Sequence, residues 1–150
     1  MKSPLLVVAL LLAGSARAQT KPIRPDQVPP LAFVALQKQF PLARQVQWEL
    51  AAGALYRANF TQDHTRRAAL FSKDGDLAAT ATAVAPLALP APVRHALATY
   101  YPGLQLKAVA KMRNTATGAL TYEAQLLDSG TPCTVLYNPD GREVRLGRKE

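Results

Sequence analysis

Residues 28–41 read VPPLAFVALQKQFP, and residues 89–102 read LPAPVRHALATYYP. Laid one over the other, they align Val28-Pro29 with Leu89-Pro90, Ala35-Leu36 with Ala96-Leu97 and Phe40-Pro41 with Tyr101-Pro102, an offset of 61 residues. Proline is tolerated in the first turn of a helix, where its missing N–H has no partner to lose. It disfavours helical geometry in the residue before it, so Phe40-Pro41 and Tyr101-Pro102 read as stops. Between these limits Val93, Ala96, Leu97, Tyr100 and Tyr101 fall at i, i+3, i+4, i+7 and i+8, one apolar stripe of a helix. Ala32, Ala35, Leu36 and Phe40 hold the matching places in the first stretch. Helices this short are marginal alone and need a sheet to pack on.

Downstream of each stretch the period changes to two. Val46, Trp48 and Leu50, then Tyr56, Ala58 and Phe60, alternate with Gln47, Glu49, Arg57 and Asn59, and Tyr122, Ala124 and Leu126 alternate with Glu123 and Gln125. That is the signature of antiparallel strands with one face on a core and the other in water. The match continues at an offset of 66 residues: Tyr56, Ala58, Phe60, Leu70-Phe71 and Asp74-Gly75 recur as Tyr122, Ala124, Leu126, Leu136-Tyr137 and Asp140-Gly141. The change from 61 to 66 places a five-residue insertion around Arg113–Ala119. Asp-Gly pairs supply the positive backbone torsions of tight hairpins. Ordered self-similarity of this kind points to internal duplication. The fold expected is therefore α+β: two tandem repeats, each a short helix on a sheet of about four antiparallel strands. The first repeat spans 28–82, a linker 83–88 and the second repeat 89–146, with a flexible lead-in at 19–27 and a frayed basic tail at 147–150.

The first eighteen residues read as a signal peptide. Lys2 is followed by the apolar run Leu5–Ala13 and the small-x-small site Ala16-Arg17-Ala18, with Gln19 as the mature start. The run is half the roughly 20 residues a membrane span needs, so no membrane insertion is expected after cleavage and the product is periplasmic or secreted. The chain holds 18 Lys and Arg against 10 Asp and Glu; Lys2 and Arg17 fall in the leader, leaving 16 against 10, a net charge of +6. The basic residues are scattered from Lys21 to Lys149 without the stripe and interleaved aromatics of a nucleic-acid binder, and no nucleic-acid partner is expected. The single cysteine, Cys133, cannot form a disulfide within the chain, so burial alone must hold the fold.

Taken together, Phe40-Pro41, Val46-x-Trp48, Phe71-x-x-Asp74-Gly75, Tyr101-Pro102-Gly103 and Tyr137-x-x-Asp140-Gly141 resemble the PepSY-like family of exported bacterial proteins, also described as beta-lactamase-inhibitor-like. The resemblance covers about residues 28–146. It implies a tandem helix-plus-sheet fold like that of the beta-lactamase inhibitor protein. The matching positions are scaffold positions, so it assigns no activity and no functional residue.

No catalytic cluster emerges from the residues. Cys133 shares strand parity with Val135 and Tyr137 and reads as a core residue; His95 flanks the second helical stripe and His64 lies in a turn. Asp74-Gly75-Asp76 lacks the further oxygen ligands of a calcium loop, so neither metal nor cofactor is expected. Trp48 shares parity with Val46 and Leu50 and belongs to the core, while Phe33 falls just outside the buried stripe. The expected function is a non-enzymatic binding or inhibitor-like module. Its candidate face is the open side of the sheets, Gln47, Glu49, Arg57, Asn59, Glu123 and Gln125, a broad polar surface for a protein or peptide of the cell envelope. The competing expectation is a passive envelope protein with no dedicated ligand.

Overall fold

A computed structural model describes residues 20–144; the signal peptide expected at 1–18 and the frayed basic tail expected at 147–150 lie outside the described residues. The order is β1 (Lys21–Ile23), α1 (Pro30–Gln39), β2 (Arg44–Ala51), β3 (Leu55–Gln62), β4 (Thr65–Phe71), β5 (Leu77–Val84), α2 (Ala91–Tyr100), β6 (Gln105–Asn114), β7 (Leu120–Asp128) and β8 (Thr131–Tyr137). Both helices begin with proline in the first turn and end where the next proline forbids continuation. The Phe40 and Tyr101 amides donate to the carbonyls of Leu36 and Leu97 as each helix closes.

The strands form one eight-stranded antiparallel sheet, every strand beside its neighbour in the chain. This corrects the expectation of two tandem helix-on-sheet repeats. The Ala-rich stretch after Asp76 is a full strand, and β5 pairs with β6 from Ala79↔Asn114 to Val84↔Val109. Ala83 and Val84, expected in a linker, sit inside that ladder. A backbone whose N–H and C=O groups can pair on both sides does so, and no seam is left. The lead-in also joins the sheet: Lys21–Ile23 pairs with β2 as an edge strand, and Ile23 packs on the core. The outer strands β1 and β8 contain Pro22 and Pro132.

Both helices lie on one face of this sheet. Under α1, Ala32 and Leu36 pack with Trp48, Ala58, Phe60, Ala69 and Phe71. Under α2, Val93 and Ala96 pack with Val109, Tyr122, Ala124, Leu126, Cys133, Val135 and Tyr137. The Asp-Gly hairpins fix each helix to its strands. Gly75 (φ 85°) and Gly141 (φ 81°) lie so close to the Leu31 and Pro92 carbonyls that a Cβ could not be accommodated at either. Ser72 Oγ accepts the amides of Asp74 and Asp76, and Asn138 Oδ1 those of Asp140 and Arg142.

Candidate functional site

The face opposite the helices carries the residues expected to be polar and open, but the structure treats them unequally. Gln47 and Gln125 are exposed, Glu49 and Asn59 half-buried, and Arg57 and Glu123 only 9% and 4% exposed. The last two meet as a bidentate pair: Arg57 Nη1 donates to Glu123 Oε2 at 2.7 Å and Nη2 to Oε1 at 3.0 Å. Arg57 Nε donates to Asn59 Oδ1 at 2.9 Å, so three guanidinium N–H groups have acceptors.

Arg57 lies on β3 and Glu123 on β7, with three strands between them. Four strand spacings in a flat sheet would be about 19 Å, well beyond the two side chains together. The contact therefore requires the sheet to curl into a hollow on this side. Small residues floor the bend: Ala68 and Ala81 are cross-strand partners on the hollow face, and both are buried although no described helix covers them. Bulges at Arg44/Gln47, where Gln45 has φ 54°, and at Leu106/Ala108 add local twist in β2 and β6. Beside the pair, Leu70 stands opposite Arg57 and Leu136 opposite Glu123, both buried, and they exclude water from the charges.

Strand parity placed Arg57 and Glu123 on the correct face but in solvent. The signal for their burial was available: opposite charges 66 residues apart, each followed by a leucine, Leu70 and Leu136, at the same offset. Trp48 is buried in the core, and Phe33, 39% exposed, stacks on it at 6.4 Å. Cys133 is buried under α2, whereas His64 is exposed in the β3–β4 turn and His95 exposed on α2. No hydrogen bond joins them among the described residues. Asp74-Gly75-Asp76 is the β4–β5 hairpin, and no group of three potential metal ligands occurs among the described residues. No helix among them is long and apolar enough to cross a membrane.

No family model matches the chain, and no curated protein matches it. Solved structures do. A protein from Bacteroides eggerthii, described as a candidate periplasmic protein, is 20% identical and superposes with a TM-score of 0.60 over 79% of this chain and 86% of its own. A DUF2874 family protein from Bacteroides uniformis is 21% identical, with a TM-score of 0.58 over 78% of this chain and 86% of its own. A BLIP-like protein from Bacteroides fragilis is 19% identical over 80% of this chain and 89% of its own, and its TM-score of 0.49 is too low to carry an argument. What the first two establish is a shared fold; a PepSY-like membership is not shown by any of them.

Proposed function

We propose that this chain is an exported, non-enzymatic binding module that takes a protein or peptide partner in the hollow of its sheet. One observation carries the reading: the buried Arg57–Glu123 pair shapes the hollow before any partner arrives, while Gln47, Glu49, Asn59 and Gln125 stay accessible around it. A preformed surface spends little conformational entropy on binding. Arg57 and Glu123 then shape the site, and their neighbours make the contacts. Export rests on the leader at residues 1–18, and a protein of the same fold is described in periplasmic terms.

A second reading, a passive envelope protein, is favoured by the same pair, because two charges that satisfy each other await nothing. Saturable binding to a cell-envelope fraction, measured with the purified exported chain, separates the two. Binding lost in Asn59→Arg and Gln125→Arg but kept in the helix-face variant Lys38→Glu supports the module. Binding indifferent to the hollow variants overturns it, and no saturable binding leaves the passive reading standing.

A further inference from the structure

The helix-bearing face has an uncovered middle. α1 packs over β2, β3 and β4 and α2 over β6, β7 and β8, so the centre of β5 lies in a valley between them. Its residues there are Thr80 and Thr82, both half-buried. Thr82 is paired on one side with Arg67 and on the other with Lys111; Thr80 is paired with Arg113. All three cations share strand parity with core residues of the helix face, Arg67 with Ala69 and Phe71, Lys111 and Arg113 with Val109. Arg67 also sits 5.3 Å over the Phe40 ring, which fixes its side chain on that face.

Strand spacing puts Arg67 and Lys111 about 10 Å apart at their backbones, and Lys111 and Arg113 about 7 Å. Side chains of that length can converge on one group above the threonine hydroxyls. No carboxylate pairs with any of the three among the described residues. Like charges gathered on one face, Arg67 on β4 and Lys111 and Arg113 on β6, repel one another across β5. The topology has gathered residues 67, 111 and 113, which the sequence scatters.

We propose that this valley is a binding site for a compact free polyphosphate anion. Two guanidinium forks suit phosphate oxygens, a lysine adds a point charge, and Thr80 and Thr82 can donate hydroxyl hydrogen bonds. Helices about 10 Å across wall both sides, which suits a small soluble anion and obstructs a flat bilayer surface. The site is independent of the hollow, so its failure leaves the proposed binding function untouched.

The test is calorimetric titration of inorganic tripolyphosphate into the full chain at low ionic strength. One saturable site is expected, weakened by added salt as screened charges require. Lys111→Gln and Arg113→Gln, both at exposed positions, should each weaken it at least about tenfold and together abolish it, whereas Lys73→Gln on the β4–β5 hairpin should change nothing. Absence of binding, or binding unchanged in the double variant, overturns the proposal. So does the opposite selectivity: cosedimentation with phosphatidylglycerol vesicles, lost in Lys111→Gln, with no response to tripolyphosphate.

Discussion

Around α1 the end of the helix is plugged by two aromatic rings, Phe40 and Phe60, 5.1 Å apart at their centroids. Around α2 the corresponding residues are Tyr101 and Leu126, and a cleft of about 320 Å³ opens between Leu97, Leu104, Leu106 and Leu126. The contrast recurs one strand further on. Phe71 packs its ring against Trp48 at 6.3 Å, but Tyr137, at the same place in the alignment, buries a hydroxyl with no partner among the described residues. Similar apolar spacing thus filled the end of one helix with aromatic rings and left a cleft at the end of the other, under a single sheet. What matters for packing is volume and polarity at each position, and the hydrophobic pattern fixes neither.

The largest expected effect lies where the two ends meet. Glu123→Ala leaves the Arg57 guanidinium buried without its carboxylate and should cost about 3–5 kcal/mol in denaturant unfolding. Replacing both, Arg57→Met with Glu123→Leu, should recover most of it. A single variant costing under about 1 kcal/mol would mean that the pair is solvated and does not shape the hollow.

Next, Leu36→Ala should cost about 2–5 kcal/mol, because Leu36 is 4% exposed. Leu97 is only partly buried at the lip of the cleft, and Leu97→Ala should cost about 1–2 kcal/mol. The helical stripe alone predicts equal losses, so equal measured losses would erase the asymmetry between the two helices. Filling the cleft with Leu126→Phe, the residue found at position 60, should add about 0.5–2 kcal/mol. A loss instead would show that the space is already taken up by relaxation.

The smallest effect is Tyr137→Phe. Removing an unpaired buried hydroxyl should stabilise the fold by about 1 kcal/mol. Burial first, then Tyr101 and Glu143, pushes the Tyr137 hydroxyl above the ordinary phenol range. An acid with a raised folded pKa favours its neutral form, so its contribution is complete below the unfolded pKa of about 10 and drains away at higher pH. The alkaline fall in stability should therefore be shallower in Tyr137→Phe, and an unchanged profile would assign the fall to other groups.

Proline-bounded helices, the alternating β2, β3 and β7 and the Asp-Gly hairpins could all be read from the chain, because each rests on a local rule. The single sheet could not. In β5, read as the last strand of the first repeat, Ala79, Ala81 and Ala83 alternate with Thr80 and Thr82, and neither set is apolar or polar enough to announce its faces or its pairing with β6. The candidate face was legible as a face, since parity is local. Its centre was not: whether Arg57 and Glu123 meet water or each other depends on curvature, which small residues on the strands between them permit.

The meander gives that centre a kinetic meaning. Each strand pairs with the one just made, so most of the sheet can assemble through loops of modest length, as low-contact-order topologies do. The Arg57–Glu123 contact, 66 residues apart, needs the curl that the intervening strands create and should form after the main barrier. Weakening it would then accelerate unfolding and leave the folding rate nearly unchanged. A protein held in this way owes its persistence to a contact that plays no part in finding the fold.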